Sequence, residues 1–413
     1  MDSQSTIKEI GGLRQEIVQN LKDYRQNILN GGVNCIPISF NRFRADFPGI
    51  RKKFFYLVSG ATKSSKTQIT NYIFIINSIF YYIANPDKIK PKIHYFPLEE
   101  TKEDIMLRLY AYILFKLSNG KVIKSPEDLS SVNETNPLSQ EILDLMESEK
   151  FIEIANVFEE CIEFHYDVRH PTGIYNRVKH YLDSNGSFEF EEKTVTYKDE
   201  LGNLKTETIK KKAKYIPNNP LEYTIFIVDH VGLLSQEKGM TLKDTIEKMS
   251  DYCKDLRDKY LAIPVLLQQQ NTETTNLEAF KANKIRPTKD GLKDSKRTGE
   301  DCTVMIGITN PYSFGVPQYL GYNVEKLKDS FRILEIVLAR KGKANGICPL
   351  YFNGAINQYE ELPKPDDKIA LDKIYKYIDS INKENTTNND IINNSTNKSF
   401  MLYNKIKNIL KLD

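Results

Sequence analysis

Gly60, Lys66 and Thr67 carry the clearest chemistry in the chain, within "YLVSGATKSSKTQ" (56–68). Their spacing, directly behind the apolar run "FFYLVS", fits a phosphate-binding loop of the form G-x-x-x-x-G-K-[ST], whose backbone N–H groups wrap phosphates. Gly60, Ala61, Thr62, Lys63, Ser64, Ser65, Lys66 and Thr67 would then cradle ATP. Lys66 would reach the β- and γ-phosphates and Thr67 would hold Mg²⁺. Ser65 stands where the pattern has its second glycine. If that position needs a positive φ, serine costs on the order of 1 kcal/mol more than glycine. The alternative is a polar loop joining a strand to a helix, so the other parts of a nucleotide site must appear in order.

Two of them do. "YTIFIVDHVGLL" ends an apolar strand on Asp229, suited to hold Mg²⁺ through water. "IHYFPLEETKED" places Glu99 and Glu100 just after another strand, where a carboxylate could orient the attacking water. Strand-end aspartates are common in α/β proteins, and His230 beside Asp229 reads as a packed or hydrogen-bonded residue. Gln268 and Gln269 read as strand-end polar residues, and Phe54, Phe55 and Tyr56 as core.

The elements that must position these residues alternate. The β runs "FFYLVSG", "KIHYFPLE", "IEFHYDV", "YTIFIVD", "IPVLLQQ", "CTVMIGIT" and "FRILEIVLAR" lie among helical patterns such as "DTIEKMSDYCKDLRDKYL". Near-continuous apolar strands separated by helices predict an α/β fold with a mostly parallel central sheet, covered on both faces. The loop's helix is expected from about Thr67 through Tyr82, its N-terminus facing the phosphates. Residues 187–215 break the rhythm: "VTYKDELGNLKTETIK" alternates around a Gly-Asn turn and predicts an inserted β-hairpin. Its lysines (205, 210, 211, 212 and 214) suit a solvated edge, with nucleic-acid contact as the other reading.

Composition sets outer limits. A net charge of +3 over 413 residues neither demands nor excludes a nucleic-acid partner. The five cysteines are scattered without a C-x-x-C pair, and the five histidines show no ligand spacing, which argues against zinc and fits a reducing, cytoplasmic compartment. The apolar run "ITNYIFIINSIFYYIANP" is broken by polar residues and reads as a buried helix, with no membrane association expected. Residues 7–30 set Ile7, Ile10, Leu13, Ile17, Leu21, Tyr24 and Ile28 at steps of three and four, an amphipathic helix expected to dock on a neighbouring subunit. The Asn-rich stretch from about 382 reads as a disordered linker, leading to "FMLYNKIKNILKLD", a short helix or docking peptide.

At the stretch strand–"LE"–helix ending "MLRL", the chain resembles the DnaB-type replicative helicases of the RecA-like ATPases. That family's glutamate at this place is the catalytic base, which selects Glu99 over Glu100. Further segments resemble the family in order: "CIPISFNRFRADFPGIRKKFFYLVSGATKSSKT", "DVRHPTGIYNRVKHYL", "CKDLRDKYLAIPVLLQQQN", "RPTKDGLKDSKRTGEDCTVMIGI" and "VLARKGKANGICPLYFNGAINQYEEL". The resemblance covers roughly 33–362. It implies a RecA-like P-loop motor over 33–364, preceded by a linker helix (1–32) and followed by a C-terminal helix, the Asn-rich linker and a short terminal helix (365–413). It assigns a sensor role to Gln270. It also implies a trans-acting lysine and arginine finger, for which Arg340 fits the lysine and Lys341 or Lys343 would serve as the finger. Central loops within 271–300, with Lys281, Lys284, Arg286, Lys293, Lys296 and Arg297, would track single-stranded DNA. The family implies an ATP-driven DNA helicase acting on forked DNA. It further implies a homo-oligomeric ring of six, 5′-to-3′ movement, and a primase or loader as partner. The family's primase-contacting domain has no counterpart in the short stretch before the motor. The Asn-, Lys- and Ile-rich usage and the short leading segment would suit a phage replication protein. A RecA-like recombinase, or a degenerate ATPase acting as a structural or loading partner, are the rival readings.

Overall fold

The computed structural model describes residues 3–132, 137–198, 204–271 and 285–387. Its strands run in chain order: β1 (Ile36–Pro37), β2 (Gly49–Ile50), β3 (Tyr56–Gly60), β4 (Lys90–Pro97) and β5 (Ile162–Phe164). Then follow β6 (Gly186–Lys198), β7 (Leu204–Pro217), β8 (Glu222–Asp229), β9 (Ile263–Gln269) and β10 (Val304–Thr309). The last are β11 (Gln318–Tyr319), β12 (Tyr322–Asn323), β13 (Phe331–Ala339), β14 (Ile347–Asn353) and β15 (Gln358–Glu361).

One nine-stranded sheet organises the chain, in the order β15-β14-β13-β10-β3-β9-β8-β4-β5. From β10 to β5 all neighbours are parallel; β13, β14 and β15 extend the sheet antiparallel beyond β10. "FRILEIVLAR" reads as one more buried strand, and its apolar pattern carries no direction. The link Pro311–Ser330 folds into short helical turns and the β11–β12 pair, and β13 returns antiparallel to β10.

The period-two alternation of each strand divides the core. Tyr56, Val58, Tyr95, Ile227 and Val265 face the helices Lys66–Thr70, Asn77–Ala84, Lys102–Leu117 and Glu149–Cys161. Phe55, Leu57, Phe96, Val228 and Leu266 face Pro171–Ser184 and Leu242–Tyr260. Phe54, Phe55 and Tyr56 are buried, as expected of core. The segment after the phosphate loop is helical to Ala84, with a π-helical stretch at Asn71–Ile76 in which every residue is buried. β6 and β7 pair as one long antiparallel hairpin. Among the described residues no helix is long and apolar enough to cross a membrane.

Register fixes what gathers at one edge. Gly60 lies beside Gln269, and Pro97 beside Asp229. The phosphate loop, the turn holding Glu99, Asp229 and the segment after β9 therefore all leave the carboxyl edge of the parallel strands. Open α/β sheets bind ligands at that edge.

Candidate nucleotide site

Gly60 must be glycine here, because an added Cβ would collide with the Ile308 carbonyl and the Ser64 hydroxyl. The loop then turns through positive φ at Lys63 (61°) and Ser65 (75°), and the helix begins at Lys66. The conformation that favours glycine at the second position is thus adopted by serine. The compensation is a buried arginine that sequence reading missed. Arg332 Nε, from the start of β13, donates to Ser65 Oγ at 2.8 Å. The Arg332 guanidinium also bonds the Asp329 and Phe331 carbonyls and lies over the Phe352 ring, 4.9 Å from its centre. The available signal was Arg332, which with Glu335 is one of two charged residues in a largely apolar strand.

Lys66 is buried and folds back on its own loop, with Nζ donating to the Gly60 and Ala61 carbonyls at 3.1 and 2.9 Å. Burial pulls its pKa down to about 8, against the attraction of Asp229 and Glu99. A phosphate entering the loop would replace those two carbonyls as its partner. Asp229 is buried beside it, and burial pushes its carboxyl up to about 6, opposed by hydrogen bonds from Thr67 and Tyr95. Tyr95 Oη donates to Asp229 Oδ2 at 3.1 Å. Thr67 and Asp229 are therefore adjacent, as a hydroxyl–carboxylate pair holding a magnesium ion requires. The buried Ser64 hydroxyl has no partner among the described residues, a spare donor in a loop suited to phosphate. The donor set fits Mg²⁺ and a nucleotide.

The two glutamates are clearly distinguished. Glu100 is clamped by Arg108 through two bonds of 2.6 and 2.8 Å. Glu99 is 64% exposed, with its Oε2 3.9 Å from His230 Nε2. His230 Nε2 also meets Gln269 Nε2 at 3.4 Å, and Nδ1 accepts from the Gly232 N–H. Burial lowers the His230 pKa, against the pull of Glu99. So His230 is hydrogen-bonded, as expected, yet its partners belong to the site.

The glutamines at the end of β9 divide by side. Gln270 Nε2 donates to Ser59 Oγ at 2.8 Å and the Thr288 carbonyl at 3.1 Å, while its Oε1 accepts from the Thr288 N–H at 3.1 Å. One side chain thus joins the phosphate-loop strand to the segment around Thr288. Gln268 is buried and donates to the Lys293 and Ser295 carbonyls, fixing that segment again. Gln269 instead faces His230, on a cleft of about 270 Å³ whose wall includes Lys293 and Asp294.

Lys281 and Lys284 lie outside the described residues. Arg286 is spent on buried Glu335, with Nε to Oε2 at 2.8 Å, and Arg297 on Asp251 and Asp301 at 3.2 and 2.9 Å. Both of these cations have acidic partners within the chain, and Arg297 remains exposed. Lys296 sits 3.6 Å from Asp290, and Lys293 is exposed at the cleft. Arg340, Lys341 and Lys343 fall at the opposite end of the sheet from their own phosphate loop. Ala339 pairs with Val304, which pairs with Tyr56 at the start of β3. Four strand residues at about 3.3 Å each separate that level from Gly60, roughly 13 Å. There Arg340 Nε donates to the Cys302 carbonyl, Lys341 lies over Phe54 and Lys343 pairs with Asp46 at 2.6 Å.

These features define a RecA-like α/β fold with the loop 60–67 at the carboxyl edge of its parallel strands. Two solved structures are similar in fold. The ATPase domain of a phage helicase matches at 12% identity with a TM-score of 0.57, over 85% of this chain and 99% of that one. A DnaB-like replicative helicase, described together with its interactions with primase, matches at 11% identity and a TM-score of 0.55. That match covers 84% of this chain and 66% of the helicase, so the chain spans just under two thirds of its length. No family model and no curated protein matches the sequence.

Proposed function

We propose that this chain is an ATP-hydrolysing motor that moves on single-stranded DNA and unwinds forked duplex as a ring-shaped homo-oligomer, six copies being the family expectation. The observation that carries this reading is the convergence of Lys66, Thr67, Asp229 and Glu99 on one sheet edge, with Gln270 linking that edge to the segment around Thr288. Bound Mg²⁺ would supply charge neutralisation at the phosphates. Lys66 binds the phosphates, Thr67 and Asp229 hold the ion, and Glu99, unclamped and exposed, orients the attacking water. Arg340, with Lys341 or Lys343, acts on the neighbouring copy's nucleotide, since its own lies across the sheet. Lys281, Lys284, Arg286, Lys293, Lys296 and Arg297 contact the DNA backbone. A primase or a loader is the expected protein partner. The motor spans 33–364, with 1–32 as linker helix and 365–413 as a C-terminal appendage.

One observation favours a second reading, a nucleotide-binding but non-hydrolysing partner of a replication complex: lysines stand where an arginine finger is expected, and lysine cannot make the bidentate phosphate contact of a guanidinium. DNA-stimulated ATPase and strand-displacement assays, with solution mass, separate the two. Lys66→Ala should remain folded and lose turnover by at least a hundredfold. Undiminished ATPase in that variant would reject the phosphate-loop assignment, and stoichiometric ATP binding without turnover in the unaltered chain would favour the second reading.

A further inference from the structure

The histidines show no ligand spacing along the chain, yet the sheet brings two of them together with a carboxylate. β4 and the edge strand β5 are parallel, with His94 registered on Glu163 and Tyr95 on Phe164. Glu163 on β5 and His165, just past its end, are two residues apart on one face, the face on which His94 stands on β4. His94 Nδ1 lies 3.1 Å from His165 Nε2. Glu163 Oε2 is 3.7 Å from that His94 nitrogen, and Oε1 is 3.7 Å from that His165 nitrogen. Both imidazoles are 2% exposed or less, and the carboxylate opens to solvent at 43%.

We infer that His94 Nδ1, His165 Nε2 and a Glu163 carboxylate oxygen bind one divalent transition-metal ion of the Zn²⁺ class, with water as fourth ligand. A tetrahedral zinc site with bonds of about 2.0–2.1 Å holds its ligand atoms about 3.3–3.4 Å apart. The imidazole nitrogens are 3.1 Å apart, and each lies 3.7 Å from a different Glu163 oxygen, Oε2 for His94 and Oε1 for His165, so the carboxylate straddles them; one ligand atom from each residue falls within 4.8 Å of the others. A hydrogen bond between two neutral imidazoles accounts for the first span alone. The carboxylate, already paired with Lys92, faces both nitrogens at 3.7 Å, too far for a hydrogen bond to either. Lys92 Nζ pairs with Glu163 Oε2 at 3.0 Å, and packing of His165 on Phe96 and of His94 on Tyr181, each 4.6 Å between ring centres, fixes the two ring planes, while the buried His94 Nε2 has no hydrogen-bond partner among the described residues. Two imidazoles and one carboxylate suit zinc better than Mg²⁺, which prefers an all-oxygen shell. The site lies on the face of β4 opposite Tyr95, away from Asp229, and would staple the short edge strand to β4.

The test uses the full-length protein, stripped of metal, dialysed against Zn²⁺ with millimolar Mg²⁺ present, and assayed for bound zinc and thermal midpoint. One zinc per chain, a raised midpoint, and an intense visible band with Co²⁺ are expected. Glu163→Gln, at a part-exposed position, should fold and weaken Zn²⁺ binding at least tenfold, as should His165→Asn. Asp229→Asn should still hold one zinc, which separates this site from the nucleotide site. Absence of stoichiometric zinc from the unaltered chain, or equal retention by Glu163→Gln and His165→Asn, would overturn the assignment.

Discussion

Two adjacent glutamates, chemically identical, are separated by a single neighbour. Arg108 holds Glu100 through both carboxylate oxygens, while Glu99 faces His230 and the loop that holds Lys66. Glu99→Gln should therefore bind ATP normally and lose hydrolysis by two or more orders of magnitude, because a water-orienting base is typically worth about 10²–10⁴ in rate. Glu100→Gln should instead lower stability, with turnover falling far less. Single-turnover ATPase and thermal unfolding on both variants decide it, and the reverse pattern would move the base to Glu100. At Ser65 magnitudes set the sign. Replacement by glycine relieves about 1 kcal/mol of left-handed backbone cost. It also removes the acceptor of buried Arg332, and a hydrogen bond to a charged group is worth about 1.5–3 kcal/mol. Ser65→Gly alone should be destabilising by about 1 kcal/mol, the larger of those two terms winning. In an Arg332→Met background it should become stabilising. Denaturant unfolding of the four chains gives the cycle, and a stabilising Ser65→Gly in the parent would show that Arg332 contributes nothing to the loop.

At the scale of the element, the helix Ser3–Leu29 stands out for what does not cover it. From residue 14 onward its side chains are exposed, among them Ile17, Leu21, Tyr24 and Ile28 on one stripe. Its C-terminal end is tied down: Asn27 Nδ2 donates to the Val33 carbonyl and Asn34 Nδ2 to the Tyr24 carbonyl, both at 2.9 Å. A stripe of that size favours docking, and burial contributes about 1.5–3 kcal/mol per large side chain before ordering entropy is counted. Deleting residues 1–30 should lower the oligomer mass at matched concentration with nucleotide bound, and reduce DNA-stimulated turnover, while each motor stays folded. Unchanged oligomers would leave the helix without a docking role.

For the whole molecule, the decisive geometry is the length of the sheet. The phosphate loop sits at the carboxyl edge, and the cluster of Arg340, Lys341 and Lys343 at the other end. In the proposed ring, a head-to-tail arrangement would bring one copy's cluster to the next copy's loop. Chains carrying Lys66→Ala, mixed with chains carrying all three cationic residues replaced by alanine, should therefore recover activity although each is inactive alone. Random mixing at equal amounts restores about a quarter of the interfaces in such a heterologous ring. No recovery in the mixture would place the cations outside the reaction.

The α/β alternation, and the loop and strand-end aspartate proposed as the nucleotide site, were legible in sequence because they are local patterns. Gly60, Lys66 and Thr67 need only their spacing, and a buried parallel strand announces itself as an apolar run. The choice of Glu99 over Glu100 came from resemblance, and the structure adds the Arg108 clamp that frees one and engages the other. What no local pattern could state is which distant groups meet. Ser65 and Arg332 are 267 residues apart and bond through a β13 that returns antiparallel. Arg286 and Arg297 read as free cations because sequence shows charge and not the acidic partner opposite. His94, Glu163 and His165 converge only when β4 and β5 lie side by side, the E-x-H step at the end of β5 being their sole local trace. Propensity and periodicity act over a few residues, so the sequence by itself determined the elements and the loop. The pairing of strands, which brings side chains from far along the chain within hydrogen-bond reach, was decided by tertiary structure alone.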